Sequence, residues 1–142
     1  MTWYYQGTIV SELPEDCVGF VYLITNTTNN RKYVGKKLAK FSKTTYKVVK
    51  QKNGVKKKKR IRSKIDSDWL TYFGSSPELS KDVELFGEDN FSREILHYCR
   101  SKSACSYLEA KEQFDRKVLE TMDYYNGHIQ VRVHGSHIIN KL

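Results

Sequence analysis

The 142-residue sequence predicts one α/β domain of the α+β kind, with a small, mostly antiparallel central sheet flanked by helices and an inserted basic β-hairpin. Three observations carry this reading. An apolar, β-branched run followed by a turn cluster marks a first hairpin. Helix signals then separate it from a third strand. Positive charge is gathered into one block with a tight-turn pair in its middle. The length suits one domain, 1–142, with a core of about 17–127, an insertion at about 43–64 and a tail at 128–142.

The first hairpin spans 18–35. Val18 to Thr25 is β-branched and aromatic, Asn26 to Asn30 tolerates turn conformations, and Lys32-Tyr33-Val34-Gly35 resumes the extended pattern. In the second, Thr45 to Gln51 and Val55 to Arg62 flank Asn53-Gly54, a pair that accepts positive φ. Its strands hold many lysines and few core residues, so it is expected to project as a basic finger. Ser63 to Phe73 fits a short helix ended by Gly74. Ser76-Pro77-Glu78 opens the next helix, with Leu79, Val83 and Phe86 facing the core and Gly87 as its stop. Phe91 to Tyr98 reads as a third strand. A long helix from about Ser103 to Met122 follows, with Tyr107, Leu108, Phe114, Val118 and Met122 as its apolar stripe, and Ile129 to Ile139 reads as a last strand.

Composition and charge exclude several classes. Hydrophobic residues at 39% and aromatics at 13% suffice for a core and argue against disorder. The longest apolar run, Phe20 to Ile24, is far short of a membrane helix, and Met1-Thr2-Trp3-Tyr4-Tyr5 does not read as a signal peptide. Cys17, Cys99 and Cys105 have no framework spacing, so reduced thiols in a cytoplasm are expected. The net charge is +9, yet Arg31 to Lys64 holds 16 basic residues and no acid, leaving the remainder net acidic. Such a block fits a polyanion, because each neutralised phosphate releases counterions. It lacks the apolar face of a membrane-surface helix. Nucleic acid is the expected partner, contacted by Lys36, Lys43, Lys47, Lys50, Lys52, Lys56, Lys57, Lys58, Lys59, Arg60, Arg62 and Lys64.

The chemistry centres on the first hairpin, where Tyr22 and Tyr33 fall on neighbouring strands. Phe20-Val21-Tyr22 and Tyr33-Val34-Gly35, followed by Glu109 in a later helix and by Tyr124-Tyr125-Asn126, resemble the motifs of the GIY-YIG nuclease family over roughly residues 17–127. Gly35-Lys36-Lys37 and Ser67-Asp68-Trp69…Gly74-Ser75-Ser76 are similar to segments of its small phage-type, homing-endonuclease-like members. The resemblance implies cleavage of double-stranded DNA by Tyr22, Tyr33, Lys37, Glu109 and Asn126. One tyrosine would activate water while the other bonds the scissile phosphate. It also implies the cytoplasm of a host cell for a phage-encoded member. Gly35 would let the backbone approach substrate.

Phosphodiester hydrolysis needs an activated water, stabilised equatorial charge and help for the leaving oxygen. One Mg²⁺ (or Mn²⁺) on a carboxylate supplies much of this. Glu109 is the preferred ligand, with Glu112 as its rival. A tyrosine is a poor base at neutral pH, and Lys36, Lys37 or the metal would have to favour its charged form. The family's arginine has no counterpart in register. Position 43 is a lysine, and aligning Trp69 puts Asp68 and Tyr72 at the arginine and histidine places. Lys37 is the preferred substitute, with Arg60, Arg62 and Lys64 as alternatives.

His97, Cys99 and Cys105 lack a fourth ligand for zinc. Of the tail histidines His128, His134 and His137, one is a candidate to face phosphate. Cutting both strands with one site per chain would take a homodimer on DNA or two sequential events. The alternatives are a non-catalytic nucleic-acid-binding protein on the same fold and an RNA-binding module that stacks bases on aromatics.

Overall fold

The computed structural model describes residues 2–142. Strands β1 (Trp3–Tyr5), β2 (Thr8–Val10), β3 (Gly19–Asn26), β4 (Lys32–Leu38) and β7 (Phe91–Cys99) form a five-stranded sheet in the order β2-β1-β7-β3-β4. All its pairs are antiparallel except β1 with β7. Strands β5 (Lys40–Lys50) and β6 (Lys56–Asp66) form a separate two-stranded ribbon, and helices α1 (Pro77–Phe86) and α2 (Lys102–Asp115) complete the fold. Among the described residues, no helix is long and apolar enough to cross a membrane.

Strand β3 explains the continuous apolar run at Phe20 to Ile24, because both of its faces are covered. On one face Phe20, Tyr22 and Ile24 pack with Trp3, Trp69, Leu79 and Tyr125. On the other, Val21 and Leu23 join Val34, Cys105 of α2 and Val118. The three cysteines are buried free thiols. Helix α1 starts where the sequence indicates: Ser76 Oγ accepts the Leu79 N–H at 3.3 Å, Pro77 opens the first turn, and Gly87, at φ +86°, ends it. Of its apolar residues, Leu79 is buried while Phe86 remains largely exposed.

Four expectations are corrected. The N-terminus adds β1 and β2, so the sheet starts well before residue 17. Their two-residue turn, Gln6-Gly7, has positive φ at both positions, as a tight hairpin requires. Residues 63–73 are not a helix. The ribbon ladder runs on through Phe41↔Ile65 and Lys40↔Asp66, leaving a single 3₁₀ turn at Trp69–Thr71. Helix α2 stops at Asp115 rather than Met122. Lys117 takes a left-handed φ of 55°, its N–H bonds the Phe114 carbonyl, and the Val118 N–H bonds that of Gln113, a Schellman stop. Phe114 and Met122 are consequently exposed, while Val118 is buried beyond the stop. Finally, 129–139 is not a strand. The free edge of β4 is occupied upstream by Tyr124, bridged in parallel to Lys32, and the tail has only a short turn at Gly135–His137.

The ribbon pairs eleven residues with eleven around Asn53-Gly54, and every side chain in it is exposed. It adds nothing to either core cluster. Replacing residues 44–62 by a two-residue Asn-Gly turn is therefore expected to shift the melting temperature by no more than about 4 °C, read by calorimetry.

Candidate active site

Register places the hairpin tyrosines. Tyr22 pairs with Gly35 and Ile24 with Tyr33, so both tyrosines lie on one face with their rings 6.1 Å apart. Tyr22 is buried, edge-on to Trp3 and Tyr72, and its hydroxyl shares a hydrogen bond with Tyr72. A Cβ on Gly35 would lie 2.6 Å from Cζ of Tyr22 and against its hydroxyl. The Tyr22 ring beneath it is by itself enough to require a glycine at this position. Tyr33 is half-buried, and its hydroxyl is 3.0 Å from Ser75 Oγ.

Tyr33 opens onto a cleft of about 540 Å³ at the β4 edge, lined also by Lys36, Ser75, Glu78, Glu109, Asn126 and His128. Tyr22, Gly35 and Lys37 are not among its lining residues. Glu109 reaches the cleft from α2, whose start is capped by Ser101 accepting the Ala104 N–H at 3.0 Å. Burial raises the Glu109 carboxyl above its ordinary value. The Lys36 charge, the Lys36 backbone N–H and His128 oppose that rise. Lys36 Nζ is 2.6 Å from Ser106 Oγ, one turn before Glu109. The rival Glu112 does not line the cleft. It is 2.8 Å from His97 Nε2 and 2.8 Å from Arg116 Nε. Burial raises its carboxyl, but the bonds from Arg116 and His97 win and hold it below the ordinary value.

Asn126 bonds the outer edge of β4. Its Oδ1 accepts the Val34 N–H at 3.1 Å and its Nδ2 donates to the Val34 carbonyl at 2.8 Å, so the side chain extends the sheet beyond β4. Gln113 of α2 donates to the same carbonyl at 3.1 Å. Next to it, the Tyr125 hydroxyl donates to Asp82 of α1 at 2.6 Å and accepts from Asn26 at 3.1 Å. Arg31 lies 4.2 Å over the Tyr125 ring and bonds Glu78 at 2.6 Å.

Lys37, the preferred stand-in for the arginine, sits on the Tyr22 face but is 2.6 Å from Asp68 and 4.0 Å over the Tyr72 ring. The cation beside Glu109 is Lys36, which the sequence offers as a DNA contact and as a cation near a tyrosine but not as a partner of Glu109. Alternation along β4 is the signal that could have found it, because Lys36 shares the Val34 face on which α2 packs. Nor do the lysines bring the tyrosines toward ionisation. Burial pushes Tyr22 well above its ordinary value, with Tyr72 and Tyr33 adding to this, and burial also raises Tyr33. His97, Cys99 and Cys105 make no metal centre, and the described residues contain no cluster of three or more such ligands. His128 reaches the cleft, whereas His134 and His137 pack on each other. Arg60, Arg62, Lys64 and the remaining predicted basic contacts, apart from Lys36 and the turn residue Lys52, are carried by the ribbon.

A hydrated Mg²⁺ needs few protein ligands, all oxygen, and keeps several waters. One half-buried carboxylate in a polar cleft fits that demand. Glu109 is the residue that would hold it, because the other cleft carboxylate, Glu78, is bound to Arg31.

Two variants test this geometry. Asn126→Ala leaves the Val34 N–H without its side-chain partner, removes one of the two donors to its carbonyl, and is expected to cost about 1–3 kcal/mol in urea unfolding. Glu112→Gln should lower stability at neutral pH. Its wild-type contribution is fully present above the unfolded-state carboxyl pKa and is lost as pH falls through the depressed folded-state value. The difference in melting temperature between the two proteins should therefore shrink at acid pH.

No curated protein and no solved structure matches the chain significantly. The family model described as "Putative endonuclease segE, GIY-YIG domain" matches residues 3–129. That span takes in every strand and helix around the cleft, from β1 to the Asn126 clamp, and the chain belongs to the GIY-YIG endonuclease family.

Proposed function

We propose that the protein hydrolyses DNA phosphodiester bonds in the β4-edge cleft with the help of one divalent cation. The observation that carries this reading is the convergence of Tyr33, Lys36, Glu109 and Asn126 on one open polar cleft. A strand edge, a helix and the 124–126 segment supply them. A pure binding surface has no use for a half-buried carboxylate where phosphate must sit, since the two anions repel unless a cation intervenes.

Each group has a distinct task. Glu109 holds the cation, which when bound supplies Lewis-acid stabilisation of the phosphate charge. Lys36 neutralises phosphate from the α2 side of the strand. Tyr33 keeps its proton at neutral pH because burial raises its pKa. Its hydroxyl, already paired with Ser75, therefore orients the attacking water or a phosphate oxygen by hydrogen bonding instead of acting as a standing phenolate. Tyr22 acts at one remove, as the buried floor against which the Tyr33 ring is set. Asn126 fixes the strand edge. Water attacks phosphorus, the bond to the leaving oxygen breaks, and the proton lost by water balances the one gained by the leaving group. One cleft per chain cuts one strand per event, so double-strand cleavage takes two events or two chains.

The test is conversion of supercoiled plasmid to nicked or linear DNA. Wild-type protein should cut with Mg²⁺ and not with EDTA. Glu109→Gln should lose at least about 10²-fold in rate while remaining folded and DNA-bound. Glu112→Gln, outside the cleft, should still cut. Tyr33→Phe, which removes one positioned hydrogen-bonding hydroxyl, should lose about 10²–10³-fold. Wild-type protein that binds plasmid but cuts none with any divalent metal would instead be the non-catalytic DNA-binding protein.

A further inference from the structure

The ribbon has two unlike faces, fixed by its register. Residues opposite one another share a face, and faces alternate along each strand. One face carries Phe41, Val49, Ile61 and Ile65 together with Lys43, Lys47, Lys57 and Lys59 but no arginine, and at its base Phe41 lies 5.0 Å from Lys37 Nζ of the body. The other carries Lys56, Lys58, Arg60, Arg62 and Lys64 in succession on β6, with Tyr46 opposite Arg60 and Thr44 opposite Arg62. Both arginines of the ribbon are therefore on the same face. At its base this face meets acids: Asp66 stands opposite Lys40, and Lys64 shares a small cavity with Glu15 and Asp16. Its outer part, from Lys56 to Arg62, has no acid in either strand.

A surface that only clamps phosphates needs charge and reach, which lysine supplies as a point charge without a defined plane. Planar side chains on one face of a two-stranded ribbon suit a different task. The major groove of B-DNA, about 12 Å wide, admits a two-stranded ribbon, and a guanidinium matches the O6 and N7 acceptors of guanine bidentately. Successive side chains on one face recur about 6.8 Å apart, the rise of two base-pair steps. Eleven paired residues extend about 35 Å, one turn of the duplex.

We propose that the Lys56–Arg62 face of the ribbon enters the DNA major groove, where Arg60 and Arg62 read guanine edges and give the nuclease a sequence preference. This rests on the DNA-cleaving reading above and adds to it where specificity resides. The flanking lysines set the ribbon on the phosphates, and Tyr46 and Thr44 are positioned for further contacts to base edges.

The experiment selects bound fragments from a randomised double-stranded DNA library, using the full-length chain and its Arg60→Lys and Arg62→Lys variants. Circular dichroism confirms that each is folded. Wild-type protein should enrich fragments with fixed guanines. Each variant should lose about 5- to 150-fold of discrimination at one of those positions. The slope of log affinity against log salt should stay unchanged, because the charge is kept. Methylation of guanine N7 at those positions should block wild-type binding. Variants that retain the wild-type preference, or wild-type protein that binds DNA with a salt slope but enriches no fixed base, overturn the proposal while leaving the nuclease reading intact. Wild-type protein that neither binds nor cuts DNA overturns both.

Discussion

The N–H and C=O of Val34 are the junction on which the cleft depends. Val34 is in the last strand of the sheet, so its outward backbone groups would otherwise face solvent at an unpaired edge. The Asn126 amide engages both, and Gln113 of α2 reaches the same carbonyl. A strand edge, a helix and the segment at 124–126 are thereby fixed to one peptide unit. Tyr33 and Lys36 flank that unit along β4, and Glu109 lies one turn before Gln113 on α2. The relative placement of all three cleft side chains follows from these few hydrogen bonds, made where water is largely excluded and their geometry is correspondingly strict.

Behind this junction is an aromatic and cationic platform. Arg93 of β7 is fully buried between the Trp3 and Phe73 rings, 4.6 and 4.4 Å from their centroids, and donates to the carbonyls of Leu70 at 3.0 Å and Tyr72 at 2.8 Å. Burial lowers its pKa to about 10, which leaves it charged at neutral pH. It ties the irregular 69–73 segment to the sheet, and that segment presents Tyr72 to the Tyr22 hydroxyl. The Trp3 indole adds a second tie, donating to the Trp69 carbonyl at 2.7 Å. The chain of contacts from Arg93 through Tyr72 and Tyr22 to Tyr33 makes the cleft wall part of the core. Loss of packing around Arg93, on the same face of the sheet, would reach the tyrosine that lines the cleft.

What the sequence discloses follows from whether a feature is local. The first hairpin, the Ser76 and Gly87 helix limits and the Asn53-Gly54 ribbon turn are legible because turn and cap residues act within a few positions of themselves. The end of α2 is not legible, because the left-handed residue of its stop is Lys117 instead of a glycine and nothing about a lysine announces that conformation. The ribbon base hides in the same way. Ile65 satisfies a helix pattern equally well, and pairing with Phe41 across the ladder decides the matter. Within the cleft, Tyr33, Glu109 and Asn126 are reached from motif spacing. Lys36 and Ser75 fall in the quoted Gly-Lys-Lys and Gly-Ser-Ser segments and His128 among the tail candidates, but their approach to Glu109 or Tyr33 depends on how α2 and the tail close over the strand edge. The sequence prefers Glu109 without excluding Glu112, because the His97 and Arg116 neighbours that occupy Glu112 lie in another strand and another turn.

The ribbon contributes no buried side chain, whereas the cleft is built into the core. Like charges face each other across it at Lys47↔Lys59 and Lys50↔Lys56, an arrangement that opposes pairing and also discourages edge-to-edge association with other chains. The two parts of the molecule therefore differ in how much substitution the fold tolerates. A change near Tyr22, Arg93 or Val34 is filtered first by whether the protein still folds, and most variants there are removed before their chemistry matters. A change at an outward ribbon position meets no such filter. The outer surface of the ribbon can thus be rewritten residue by residue while the fold that shapes the cleft stays intact.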